Sequence, residues 1–286
     1  MKKIFSIIAV AMACLMASCD KIEPNDMGEY TIYAGMVFDW QAGEGVPDHT
    51  QRALIEKYTG VRCVNCPDGD ARIAELLNDS KYDHKLYAVA VHGCTSAFGT
   101  PINGFDPRCE DAITWMTDLM GADHSLPAAM VMRHTDDIFV PSSVSPASRV
   151  DAVLASPASV AIAVGSELMG QTYQITVDIE HLTTTNSALD ITVFLMEDSI
   201  IGPQQSTSGR IDEYVHNHVL RDVLTDVWGN TLPTDGKQGT TLRGVARYQM
   251  PDDCPYDVRH CKVVAFVSDK ATKRILNVAE CDLNEE

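Results

Sequence analysis

YTGVRCVNCP, residues 58–67, sets Cys63 and Cys66 two residues apart and follows the second with Pro67. A CxxC of this kind is one arm of a metal clamp, a structural staple or a working thiol–disulfide couple. Its flanks bear on the choice. Upstream, QRALIEK (51–57) reads as a short strand running straight into the motif. Downstream, PDGDARIAELLND reads as a helix. Pro67 suits the first turn, Asp68 and Asp70 suit the positive N-terminal end, and Ile73, Leu76 and Leu77 form an apolar face at helical spacing.

Working outward, KLYAVAVHG (85–93) is a buried-type strand and EDAITWMTDLMGA (110–122) a helix with Ile113, Met116 and Met120 on one face. SLPAAMVMRH (125–134) sets Pro127 just before an apolar strand, DDIFV suggests its hairpin partner, and SPASRVDAVLA a closing helix. The order is that of thioredoxin: strand, CxxC, helix, strand, helix, X-Pro, strand, strand, helix. In thioredoxin-like proteins the proline before the third strand is cis and packs beside the disulfide, so a cis Leu126–Pro127 bond is expected.

Placed at a helix N-terminus, Cys63 is the expected nucleophile, because unsatisfied N–H groups there favour thiolate, the attacking species. Cys66 is then the resolving thiol, and Pro127 shapes the surface that meets a partner. Arg62 would help the thiolate, Asp68 and Asp70 would oppose it, and Glu56 is a candidate acceptor for the Cys66 proton. The competing reading is a permanently oxidised pair that only staples the fold. A zinc site wants two more thiols or imidazoles at motif spacing. The nearest are His92, Cys94, His124 and His134, which form no second motif. Neither a metal nor a cofactor is expected.

The texture changes near residue 157. QTYQITVDIE alternates, with Tyr173, Ile175, Val177 and Ile179 on one side, as a half-buried strand does. SVAIAVGSEL, LDITVFLMED, TLRGVARYQM, CKVVAFVSD and TKRILNVAEC read as similar half-buried strands, separated by TTTNS and TLPTDGKQG. Six or seven strands without helices predict an immunoglobulin-like β-sandwich. In YVHNHVLRDVL (214–224), His216 and His218 would share a face if the stretch is one strand, yet no third ligand can be assigned.

The chain opens MKKIFSIIAVAMACLMASC. Lys2 and Lys3 precede an apolar run too short for a membrane span, and Met16-Ala17-Ser18 lead to Cys19 in the manner of a lipobox. An ordinary secretory signal is the alternative. Cleavage before Cys19 leaves a lipidated cysteine and a polar tether, DKIEPNDMGEY. The expected division is signal peptide 1–18, tether and extension 19–47, α/β thioredoxin-like domain 48–156 and β-sandwich domain 157–286. The formal charge of −18 excludes a nucleic-acid binder, which needs a basic face. Nine cysteines are present. With Cys14 in the signal and Cys19 taking lipid, seven remain in an exported chain, where disulfides persist. Cys63–Cys66 is one expected pair. Cys94–Cys109 would tie the base of the loop CTSAFGTPINGFDPRC. Cys261–Cys281 would sit symmetrically about a hairpin turn, although any two of Cys254, Cys261 and Cys281 could pair.

Together, TGVRCVNCPDG, YVHNHVLR and the terminal VVAFVSDKATKRILNVAE resemble the family related to the 28-kilodalton outer membrane protein of Gram-negative anaerobes. The resemblance spans roughly residues 50–281. It implies a lipoprotein at the outer membrane, facing periplasm or cell surface, with a thioredoxin-like domain and an all-β C-terminal domain. It does not imply a pore, since the strands are too few for a lipid-facing barrel. Two functions follow as expectations: thiol–disulfide exchange on envelope proteins, or a non-catalytic adhesin or assembly module binding envelope or extracellular proteins.

Overall fold

The structure, a computed structural model, describes residues 36–121, 125–251 and 254–283. Cys19, the signal and the tether lie outside the described residues. In chain order the elements are β1 (Asp39–Ala42), β2 (Ala53–Tyr58), α1 (Cys66–Leu77), β3 (Leu86–Val91), α2 (Glu110–Met120), β4 (Ala128–Val131) and α3 (Ala147–Leu154). There follow β5 (Val160–Met169), β6 (Thr172–His181), β7 (Leu189–Glu197), β8 (Ile200–Ser206), β9 (Gly209–His216) and β10 (Val219–Val223). The chain closes with β11 (Asn230–Thr231), β12 (Thr241–Tyr248), β13 (Cys261–Asp269) and β14 (Ile275–Asp282).

The molecule is mostly β-sheet. A central sheet runs in the order β14-β13-β7-β10-β3-β2-β4, with β11 added on β7. Within it β2 and β3 are parallel, β10 is parallel to β3, and β4 is antiparallel to β2. A second sheet, β1-β12-β6-β5, is wholly antiparallel. The hairpin β8–β9 forms a two-stranded sheet of its own. Through β10 the central sheet joins strands from both sides of residue 156, so hydrogen bonding is continuous across the expected domain boundary.

Periodicity explains the layering. In β13, Val264 and Phe266 enter one core with Trp115 and Phe194, while Val263, Ala265 and Val267 enter a second core with Ile175, Val177 and Ile179. Successive side chains of a strand point to opposite faces. A strand covered on both faces therefore reads as an unbroken apolar run, as ITVFLM in β7 and VVAFV in β13 do. β6 alternates because only one of its faces is buried. The second sheet thus packs face to face on the β7–β13–β14 end of the central sheet.

Three local expectations need correction. The buried face of α2 is Ala112, Trp115, Met116 and Met120, with Ile113 only half-buried. Trp115 decides this, because its ring packs edge-on to Phe194 at 5.8 Å and its indole N–H donates to the Val227 carbonyl at 2.7 Å. DDIFV forms no strand; Phe139 alone bridges to Ala129. YVHNHVLR is not one strand either. β9 ends at His216, His218 takes a left-handed φ of 60° in the bend between strands, and β10 begins at Val219, so the two histidines share no strand and no face.

Candidate functional site

Cys63 and Cys66 form a disulfide with their Cα atoms 5.4 Å apart. Cys66 opens α1, and Cys63 stands in the turn ahead of it, its carbonyl accepting from the Cys66 N–H at 3.2 Å. The pair sits where the sequence places it, past the C-terminal end of β2 and at the start of a helix. Leu126–Pro127 is cis. Pro127 lies over the first turn of α1 at Gly69, where an added Cβ would stand 3.4 Å from the proline ring.

The disulfide is covered. Cys63 is 2% exposed and Cys66 1%, whereas Val64 between them is 44% exposed. Two segments provide the cover. On one side the loop after β3 approaches closely: the Arg62 N–H donates to Phe98 O at 2.9 Å, and a Cβ on Gly60 would meet the same oxygen at 2.6 Å. On the other side lies the β8–β9 hairpin. Gln204, itself buried, donates from Nε2 to Cys63 O at 3.1 Å and to Gly60 O at 3.3 Å, and the Gln205 N–H donates to Val61 O at 2.8 Å. Gly202 faces the Phe105 ring, which a Cβ there would meet at 2.4 Å.

Three of the charged residues expected around the cysteines, Arg62, Glu56 and Asp70, are engaged elsewhere, and Asp68 is exposed. Arg62 donates from its guanidinium to Thr100 O and Pro101 O, at 2.9 and 2.8 Å, and so fastens the covering loop. Glu56 is fully buried and accepts from Arg133 Nε at 2.9 Å. Burial raises the Glu56 pKa against the pull of Arg133. The Arg133 guanidinium stacks 4.3 Å from the Trp115 ring and 4.8 Å from Phe266. Asp70 forms an ion pair with Lys57 Nζ at 2.7 Å and accepts from Tyr214 Oη at 2.8 Å. His216 packs between Tyr214, Phe105 and His92, with ring centroids 4.9, 5.1 and 5.6 Å away. Burial pushes its pKa down to about 4 and holds His92 well below the ordinary imidazole range, so both rings are neutral at pH 7. No group of three or more metal-ligating side chains occurs among the described residues.

The other expected disulfides are not formed. Cys94 and Cys109 are buried thiols with separate partners: Cys94 Sγ lies 3.1 Å from Ser96 Oγ, and Cys109 donates to Leu220 O at 3.7 Å. The loop between them is tied instead by Arg62. Cys261 and Cys281 are not bridged because the register is offset. Cys281 stands opposite Val263, and the residue across from Cys261 is Leu283, whose N–H donates to Cys261 O at 3.0 Å. Burial pushes the Cys254 thiol up to about 11 and the Cys261 thiol up to about 12, which makes both poor nucleophiles.

Sequence reasoning missed Lys57, Phe105, Gln204 and Tyr214. The hairpin itself was legible: IIGPQQS and RIDEYVH flank Thr207-Ser208-Gly209, a turn signal between two strand-like runs. Its docking on the CxxC loop has no local signature.

A family model described as outer membrane protein Omp28 matches residues 121–286. Among solved structures, HBP35 of Porphyromonas gingivalis is similar at a TM-score of 0.59 and 18% identity, covering 84% of this chain and 77% of that one. That likeness shows a shared fold. A structural-genomics protein of Agrobacterium tumefaciens aligns at 0.49 and 15% identity, over 84% of this chain and 97% of its own. A domain of the outer membrane lipoprotein Omp28 from Porphyromonas gingivalis aligns at 0.31 and 19% identity, over 44% and 89%. A sequence search of curated proteins found no match.

Proposed function

Because this chain belongs to the Omp28 outer membrane protein family, we propose that it is a lipoprotein held at the outer membrane through Cys19. Its Cys63–Cys66 pair staples a thioredoxin-like unit, residues 48–156. The β-rich remainder, an immunoglobulin-like sandwich over 157–286, offers a binding or assembly surface to envelope or extracellular proteins. The order β2, CxxC, α1, β3, α2, Pro127, β4 supports the thioredoxin-like reading. The observation that carries the function is the burial of both cysteines beneath the hairpin and the loop. A partner's sulfur has to reach Cys63 Sγ for exchange to begin.

The test is the reduction potential of the pair, titrated against glutathione with mass-spectrometric readout of each cysteine. A staple has a potential below about −300 mV. A value above roughly −250 mV, with Cys63 alkylated first, replaces this reading with thiol–disulfide exchange on envelope proteins. One observation favours that second reading: Cys63 and Cys66 stand at the N-terminal end of α1, with Pro127 against the same first turn. In that case Cys63→Ser abolishes the activity.

A further inference from the structure

We propose that the β8–β9 hairpin is a displaceable strap, hinged at its base, that gates access to the Cys63–Cys66 disulfide. This goes beyond the staple reading, because it makes one of the two segments that cover the bond removable. Four observations carry it. The hairpin is hydrogen-bonded as a sheet only to itself, while every other strand of the described residues belongs to a larger sheet. Its hold on the CxxC loop and α1 comes from a short set of bonds: Gln204 Nε2 to Gly60 O and Cys63 O, Gln205 N–H to Val61 O, and Tyr214 Oη to Asp70 Oδ2.

The base of the hairpin is built differently from its body. Ser199 and His218, one at each end, have φ of 63° and 60°, a left-handed conformation that non-glycine residues seldom take. Each is held by a side chain from the opposite end. The Ser199 N–H donates to Asn217 Oδ1 at 2.9 Å, and the His218 N–H donates to Asp198 Oδ1 at 2.7 Å. The base is thus clamped where β7 and β10 leave the central sheet, and the bends stand just outside the hairpin.

Packing under the strap is also incomplete. A cavity of about 260 Å³ lies at its root, between Ile73 and Leu77 of α1, Ala90 of β3, and Tyr214, Val215 and His218. Part of the strap's root therefore faces an open, partly polar cleft, lined also by Lys57 and Asp70, and not packed side chains. Elements with few buried contacts open at a lower free energy than the whole molecule.

The experiment uses the full mature chain and follows reduction of the disulfide by a water-soluble phosphine, with alkylation and mass spectrometry of Cys63 and Cys66. In the wild type, opening of the strap exposes little surface, so the reduction rate stays nearly flat in urea below the onset of unfolding. Gln204→Ala speeds reduction at least tenfold, and Tyr214→Phe speeds it by a smaller factor. A wild-type rate that climbs steeply with urea, in parallel with global unfolding, overturns the strap. So do variants that accelerate reduction only as far as they lower overall stability. The outcome is independent of the staple assignment, because the potential reports the equilibrium of the pair and the rate reports access to it.

Discussion

At the scale of single residues, the strongest statements concern charges taken out of water. Glu56 and Arg133 are both fully buried and bonded to one another, under the rings of Trp115 and Phe266. Removing one partner of such a pair leaves the other uncompensated, which costs about 3–5 kcal/mol. Arg133→Ala is expected to lower stability by that amount in urea denaturation. Asp222 supplies a pH test. Its carboxyl is buried, Asp111 lies near it on α2, and burial followed by that neighbour pushes it up to about 8. The Asp111 N-terminal helix position does not relieve the pair, since burial raises Asp111 to about 6 as well. Tyr248 and Tyr256 also face Asp222 and are themselves raised, so they stay neutral. The folded chain holds a proton on Asp222 between about pH 4 and 8 that the unfolded chain has lost. Stability from this group is therefore full on the acid side and falls as pH rises, by about 1.4 kcal/mol per pH unit. Buried His92 and His216 act in the opposite sense, but only below about pH 6.5, where an unfolded imidazole gains its proton. Between pH 6.5 and 8 the midpoint of urea unfolding is expected to drop, and Asp222→Asn to flatten that drop.

At the scale of elements, close approach decides which glycines are replaceable. β3 ends against α2, and a Cβ on Gly93 would fall 2.0 Å from the Ala112 carbonyl oxygen, part of the helix backbone. Gly93→Ala has to push α2 off the sheet and is expected to cost about 3 kcal/mol. Gly165, inside β5, has nothing within 4 Å of its Cβ position and no left-handed φ. Gly165→Ala is expected to be neutral or to stabilise by up to about 1 kcal/mol, since glycine weakens a strand interior. Thermal unfolding of the two variants side by side checks both.

At the scale of the whole molecule, the central sheet and the first core ignore residue 156. β3 pairs with β10, and Phe194, Leu220, Val264 and Phe266 pack with Trp115 and Met130 in one cluster. Residues 48–156 alone would bare the β3 edge and one face of that core, and unpaired edges template aggregation. The isolated segment is expected to be insoluble or to lack near-ultraviolet circular dichroism, while the full chain unfolds in a single transition. A folded, monomeric 48–156 fragment would overturn this expectation.

The sequence by itself determined the local order of the molecule: the strand leading into Cys63, the helix that opens at Cys66, the proline ahead of β4 and the change to strands after residue 157. Each rests on signals within a few residues, namely apolar period, helix-start chemistry and turn composition. The reading of LDITVFLMED and CKVVAFVSD as half-buried strands fails, because ITVFLM and VVAFV are buried on both faces, a burial their unbroken apolar runs signal. Only the tertiary structure decided what meets across long separations. It paired Glu56 with Arg133 instead of leaving it beside Cys66. It offset Cys281 from Cys261 by the register of β13 on β14, and joined both halves of the chain through β10. It also laid Gln204 over a disulfide 141 residues earlier in the chain. A residue's own neighbours report its propensity and its face. Which distant surface covers that face is settled by packing and by the pairing of buried polar groups, and these depend on the whole chain at once.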